Sequence, residues 1–485
     1  VSTLPAVLRN TLVLLAGTAA AKGLVFVSYL FLARQLEPTD FGRYSLVFAY
    51  LAFFELLPDA GLDTIVVREA ASDGGRIRDR LGRALVVRAT LAAAALPLAI
   101  ACVPLVTTAP GARTLVAIGA LTWLASNRRP SLRSVLDAPY RVSLRMGIPS
   151  AFGVGSEVLH LALLVPLIAA FGVGGAVAAQ GLAPIPFFLA LAWLVARRAS
   201  LRPAWAPAEW ARMLRLASPL LASLLLNVVL VRADVLMLER LRGSTDVGLY
   251  AAPVRLVEIA NLLPALLMTS VFPLFAASHP SDPARVARLF RTSLTALVVL
   301  LVPVVLVESL AAGPIVRTLF GSSFAGAAFP LPWLAAAELF VFADIVLTAR
   351  FLATGRETRN LQCVGVAAIL NVALNLVAIP RWGGAGAAGA TLVAYLARLA
   401  MSFAFDDTRS AGRDTFAALA PATASGIVAA GVAWLVTPSP LLRTLVALGV
   451  FGLLVLLFRS SMLGPLREAT RGIRPFPVAG SRGAP

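Results

Sequence analysis

Long apolar runs, separated by short polar segments, fill this chain almost from end to end. A helix needs roughly 20 apolar residues to cross the hydrocarbon core of a bilayer, and on that measure the runs predict fourteen spans. They fall near 10–33, 44–66, 84–107, 114–138, 147–171, 177–196, 214–238, 248–273, 290–312, 327–349, 361–379, 386–405, 415–437 and 441–458. The fourth contains arginines and is the least uniform. The first is too long and too poorly flanked for a cleaved signal peptide, and is expected to stay as a helix. No intervening segment exceeds about 20 residues, which leaves no room for a soluble catalytic domain. The expected fold class is an all-α polytopic membrane protein.

A second pattern runs through the first. Leu32, Arg34, Thr39, Asp40, Gly42, Tyr44, Leu56, Leu57 and Pro58 return, without a gap, as Leu238, Arg240, Thr245, Asp246, Gly248, Tyr250, Leu262, Leu263 and Pro264. Matched leucines mean little in so apolar a chain, but matched Arg, Asp, Gly, Tyr and Pro in one register mark a duplication. The offset covers six spans, an even number, so both copies enter the membrane with the same polarity. That predicts two six-helix lobes related by a pseudo-twofold axis along the membrane normal. The expected divisions are an N-terminal lobe at 1–199, a cytoplasmic linker at 200–212, a C-terminal lobe at 213–405, an appended two-helix hairpin at 406–458, and a basic disordered tail at 459–485.

Composition agrees: 59% of residues are hydrophobic and 14% charged, where soluble domains carry about a quarter charged residues. The net charge of +18 raises the question of a nucleic-acid partner, but most of the Lys and Arg fall in loops on one predicted side. Arg76, Arg78 and Arg80 share one such loop, Arg197, Arg198 and Arg202 another, and Arg467, Arg471 and Arg474 the tail. This positive-inside bias places both termini in the cytoplasm and needs no polyanion to explain it. It also favours anionic membrane lipids. Cys102 and Cys363 lie within spans, where a thiol acts as a small apolar side chain. There is no metal-ligand spacing and no phosphate-binding loop of the G-x4-G-K-[ST] type, so neither a cofactor nor nucleotide-driven pumping is expected.

Short motifs add a family resemblance. A-R-Q-L at 33–36, F-G-R-Y-S at 41–45 and L-x-D-A-G-L ending at Leu62, followed by Arg68 and Glu69, open the chain. R-A-D-V-L-M-L at 232–238, V-G-L-Y-A-A at 247–252, L-F-G-S-S-F at 319–324 and I-P-R-W-G-G-A-G-A-A-G-A at 379–390 follow in order. Together these resemble the bacterial polysaccharide-transport flippases, O-antigen flippase-like members of the multidrug/oligosaccharidyl-lipid/polysaccharide exporter superfamily. The resemblance implies two lobes around a central cavity, with a polyprenyl-diphosphate-linked oligosaccharide turned from the cytoplasmic to the outer leaflet of the inner membrane for cell-surface polysaccharide export. Lipid-linked oligosaccharide and membrane lipids are the implied partners, with a glycan polymerase or glycosyltransferases of the same pathway. Other readings are a flippase for lipid II or another lipid-linked precursor, a multidrug exporter of the same superfamily, or a polyprenyl-glycan ligase or polymerase. The short external segments disfavour the enzyme.

Ionisable groups inside spans are costly and by default face a cavity. Lys22, in the middle of span one, is too deep to snorkel. It is expected to draw the carrier's diphosphate, or else to pair with a buried acid. Arg255 has Glu258 one turn on, an i,i+3 spacing that allows a local pair, yet a planar guanidinium also suits bidentate phosphate recognition. Arg232 and Asp234, two residues apart, point different ways on a helix. Arg232 is expected in the cavity, and Asp234 as an ion-responsive carboxylate or as a partner for Arg128 or Arg129. Arg133 completes the expected cationic cavity of Lys22, Arg232, Arg255 and Arg133, with a local pair to Asp137 as its other reading. Arg34 with Asp40 and Arg240 with Asp246 mark the two external corners of the repeat, either as a gate pairing across lobes or as helix caps, since Asp favours the N-cap. Asp59 and Arg68, at the inner ends, invite the same two readings. His160, alone in its span, reads as a packing residue. Prolines 253, 264 and 303 and the glycines of 383–389 are expected to allow bending.

Overall fold

In hydrocarbon every backbone N–H and C=O must find its partner within the protein, and a helix satisfies them within one segment. Helix is accordingly the only regular structure among the residues described by the computed structural model: 4–59, 77–128, 131–143, 145–198, 207–278, 282–406 and 408–458. In chain order the helices are α1 (Leu4–Gln35), α2 (Pro38–Phe54), α3 (Leu56–Asp59), α4 (Ile77–Val106), α5 (Ala112–Gly119), α6 (Thr122–Ala125), α7 (Leu132–Val142), α8 (Gly147–Leu182) and α9 (Ile185–Arg198). Then come α10 (Pro207–Arg242), α11 (Ser244–Ala260), α12 (Leu262–Ser278), α13 (Pro283–Leu310), α14 (Ala312–Phe320), α15 (Leu331–Ala353), α16 (Glu357–Met401), α17 (Arg409–Val436) and α18 (Pro440–Leu457). Among the described residues nine helical stretches are long and apolar enough to cross a membrane. The chain is a multi-pass membrane protein.

Two of those stretches, Gly147–Arg197 with 51 residues and Glu357–Met401 with 45, exceed what one crossing needs. Each contains one residue with non-helical backbone: Gly172 (φ 54°, ψ −133°) and Gly383 (φ 53°, ψ −132°). Only glycine reaches this region without strain. Beyond each break the chain doubles back, so that a Cβ on Gly175 would sit 1.8 Å from the Leu167 carbonyl oxygen and one on Gly386 would sit 2.3 Å from that of Ala378. Predicted spans five and six, and likewise eleven and twelve, are thus joined by the same tight turn.

Proline shapes the other repeated break. Its ring clashes with the carbonyl four residues earlier. For Pro58 and Pro264 those residues are Phe54 and Ala260, the last residues of α2 and α11. Both helices stop there, at Glu55 and Asn261, before the chain resumes as α3 and α12. Predicted span four differs from expectation: in place of one helix over 114–138 there are α5, α6 and α7, with non-helical backbone around Ser126 between the last two. Further along, α10 starts at Pro207, so the second half of the stretch read as a linker is helical, with proline at a favourable first position. Arg68 and the tail from 459 lie outside the described residues.

The described chain forms two compact units. The first comprises Val1–Leu262, Ala312–Ala337 and Leu361–Arg398. At its centre α2 packs against α11. In α2 every residue from Phe41 to Leu51 except Arg43 is buried, the mark of a helix surrounded on all sides. Phe41 meets Phe324 edge-on at 5.6 Å, and Tyr44 meets Phe48 at 5.0 Å. The α2–α11 crossing is reciprocal. A Cβ on Gly42 would lie 1.8 Å from the Ser244 carbonyl oxygen, and a Cβ on Gly248 would lie 1.8 Å from that of Pro38. Because 38 and 244, like 42 and 248, are repeat mates, a local twofold passes between them. The second unit comprises Leu263–Ala311, Glu338–Asn360 and Leu399–Pro485. Within it α13, α17 and α18 pack together, and Arg350 bonds Asp414 at 2.8 Å while stacking on Phe290 at 4.8 Å.

Candidate functional site

The first unit holds an open cavity of about 940 Å3. Its walls follow from helical spacing and from the duplication. On α1, Leu14, Thr18, Ala21, Lys22, Val25 and Tyr29 face the cavity, and on α10, Leu224, Asn227, Val228, Val231 and Arg232 do so. Steps of three and four residues keep such positions on one helix face. Lys22 and Val228, Val25 and Val231, Ala52 and Glu258, and Glu55 and Asn261 are repeat mates, and all eight line the cavity. The duplication therefore shapes the cavity, while side-chain identity makes its halves chemically unequal.

One end is a cationic group. Glu258 on α11 takes Arg232 Nη1 at 3.2 Å through Oε1 and Arg255 Nη1 at 2.6 Å through Oε2. The Arg255 guanidinium also lies over the Tyr29 ring at 4.6 Å, a cation–π contact. Its Nε is buried with no hydrogen-bond partner among the described residues. Lys22 is exposed to the cavity, and among the described residues it has no hydrogen bond or ion pair. Its ammonium is one of the charges acting on Glu258. Three cations and one carboxylate leave this group with two positive charges.

The opposite wall comes from the break in predicted span four and from α7 and α8. Because the helix is interrupted after Ala125, the polar side chains of Ser126, Asn127 and Arg128 reach the cavity. The Arg128 Nε bonds both Glu157 oxygens at 3.0 Å, and Nη2 meets His160 Nδ1 at 2.9 Å. A guanidinium only donates, so His160 accepts through Nδ1 and carries its proton on Nε2. Gln180 lies 3.5 Å from Arg128 Nη1 and accepts the Tyr44 hydroxyl. In the second copy, Tyr250 donates to Asp234, and Thr391, the counterpart of Gln180 in the second hairpin, approaches the same hydroxyl. Arg141 also lines the cavity, exposed.

The residues singled out in the sequence part company here. Lys22, Arg232 and Arg255 come together. Arg133 does not join them: it is 1% exposed, donates to the Pro149 carbonyl at 2.9 Å, and lies 3.9 Å from Asp137. Asp234 is buried away from the cavity lining, held by Tyr250 and by the Val235 amide at 2.7 Å. Among the described residues it pairs with no arginine of span four, and Arg129 lies outside them. Of the corner charges, Asp40 and Asp246 neither pair across the repeat nor cap their helices. The N-cap positions are Glu37 and Gly243, so Asp40 and Asp246 stand in the first turn, facing Arg43 at 3.3 Å and Arg242 at 2.8 Å. Arg34 instead holds the carbonyls of Thr318 and Leu319, at 2.6 and 3.1 Å, near the C-terminus of α14. Arg240 is exposed with no such bond among the described residues. Asp59 ends α3. The cluster of Arg128, Glu157, His160 and Gln180 was not foreseen. Its one sequence signal was Glu157 and His160 at i,i+3 within an apolar run. Among the described residues no three His, Cys, Asp or Glu side chains gather as metal ligands.

The fold has solved counterparts. The chain is similar to the lipid II flippase MurJ in an inward closed conformation, with a TM-score of 0.71 and 12% identity over 93% of this chain and 99% of that one. It is similar to the Vibrio cholerae MATE transporter VcmN, with a TM-score of 0.59 and 16% identity over 85% and 98% of the two chains. A MOP superfamily transporter from Pyrococcus furiosus matches with a TM-score of 0.59 and 15% identity over 85% and 96%. No curated protein matches the sequence. The profile of one family, described as polysaccharide biosynthesis protein, matches residues 7–279, the part that holds α1, α2, α10, α11 and the whole cavity, and the chain belongs to that family.

Proposed function

We propose that this protein is a flippase that carries a polyprenyl-diphosphate-linked oligosaccharide from the cytoplasmic to the outer leaflet of a bacterial inner membrane by alternating access. The observation that carries this reading is the convergence of Lys22, Arg232 and Arg255 on one cavity wall with two net positive charges. A diphosphate diester brings two negative charges, and guanidinium forks suit its oxygens. The remaining wall is rich in hydrogen-bonding groups such as Asn127, Asp137 and Arg141, which suits a glycan. The polyprenyl tail stays in lipid. In the orientation read from the loop arginines, with both termini cytoplasmic, the α2–α11 crossing lies on the outer side and closes the cavity there.

Membership of the polysaccharide biosynthesis family and a fold shared with flippases and exporters support transport rather than catalysis. The decisive experiment is restoration of surface glycan in cells lacking their own polysaccharide flippase, comparing wild type with Lys22→Ala and Arg255→Ala at matched expression. Restoration by wild type, lost in both variants, is expected. Equal restoration by all three would remove the cationic group from the mechanism. Failure in every donor-glycan background, with drug efflux in its place, would move the protein to the exporter branch.

A further inference from the structure

Both Glu258 oxygens are committed to the guanidinium groups on which the proposed substrate docks, one oxygen to each. Glu258 thereby joins α10 to α11 across the cavity wall. At 31% side-chain exposure it is more accessible than Arg232 at 22% or Arg255 at 10%. It is the member of the trio that can move into the cavity while the arginines stay. Arg255 is fixed from behind by the Tyr29 ring.

We infer that Glu258 is a stand-in anion: it competes with the substrate's diphosphate for Arg232 and Arg255 and takes them back when the substrate leaves. The inference rests on the diphosphate reading of the cavity. Two consequences follow from charge. Three cations on one cavity wall with no carboxylate among them would repel one another in the return step of a transport cycle, and Glu258 relieves that cost. With Glu258 present, a bound diphosphate diester brings the group to neutrality. Without it the site stays positive and holds its ligand too tightly to release it. Glu258 thus trades affinity for turnover.

The test uses the full-length protein in nanodiscs, with farnesyl diphosphate as probe and farnesol as the uncharged control. Glu258→Gln keeps the shape and removes the charge. It is expected to bind farnesyl diphosphate about tenfold more tightly, to leave farnesol binding unchanged, and to lower glycan export in cells. Glu258→Asp is expected to restore export. Unchanged or weaker farnesyl diphosphate binding by Glu258→Gln, in a background where Lys22→Ala still weakens it, would make Glu258 a brace between helices and overturn the inference alone. No charge-dependent binding by wild type, and no effect of Lys22→Ala, would remove the diphosphate reading and the inference with it.

Discussion

Thr39 and Thr245, separated by 206 residues in the chain, touch through their hydroxyl oxygens at 2.9 Å. They are repeat mates, so the pseudo-twofold axis of the α2–α11 pair passes between them. Residues on such an axis are self-complementary by necessity, as at any isologous contact. In the proposed cycle this is the contact that separates when the cavity opens outward.

A crosslink at the axis should therefore stop transport. With Cys102 and Cys363 replaced, Thr39→Cys with Thr245→Cys is expected to form a disulfide under mild oxidation, and glycan export is expected to stop until reductant is added. Either single cysteine should export normally under both conditions. Export that continues in the fully crosslinked protein would mean that α2 and α11 stay together throughout.

The same crossing depends on two missing side chains. A Cβ at Gly42 or Gly248 would overlap a backbone oxygen that has no rotamer to change. Gly42→Ala and Gly248→Ala are each expected to destabilise the protein by about 1–3 kcal/mol, the usual cost of overpacking. Gly23 has nothing within 4 Å of its would-be Cβ, so Gly23→Ala serves as the control. Thermal unfolding in detergent separates them: lowered midpoints for the first two and an unchanged or higher one for the third.

How much of this was legible beforehand depends on the kind of signal. The duplication around 32–58 could be read because Arg, Asp, Gly, Tyr and Pro recur in one register, and Pro58 and Pro264 carry their own reason for breaking a helix. The equivalence of Gly172 and Gly383 was hidden, since the two hairpins sit 211 residues apart rather than 206 and glycines are plentiful there. Span four misled because its overall hydropathy hides the break that brings Asn127 and Arg128 to the cavity. Ion-pair choice was the least legible. Asp246 had Arg240 and Arg242 both near in sequence and took Arg242, and Arg34 took no acid but the carbonyls of a helix nearly 300 residues away.

That last contact distinguishes two arginines that the sequence treats as equivalent. Cations near a helix C-terminus bond its free carbonyls and complement its dipole. Arg34→Ala is expected to cost about 0.5–1 kcal/mol for such an exposed contact, with Arg34→Lys recovering part of it. Arg240→Ala should be neutral. Equal losses at both positions, measured by thermal unfolding, would argue for a shared role at the corners instead.

Arg128 and Glu157 form the buried charge pair of the opposite wall, with side chains 14% and 4% exposed. Removing one partner of such a pair leaves an uncompensated charge and costs about 3–5 kcal/mol, whereas removing both often costs far less. Arg128→Met and Glu157→Gln are each expected to lower stability sharply, and the double variant to recover most of the loss. Export separates structure from recognition. If the pair only supports the fold, the recovered double variant exports glycan as wild type does. If its Nη1 edge, beside Gln180, also contacts the glycan, the double variant is stable but exports poorly. The hydrogen-bonding character of the neighbouring Ser126 and Asn127 favours the second outcome, because a pair that served packing alone would not need a broken helix to bring it to the cavity.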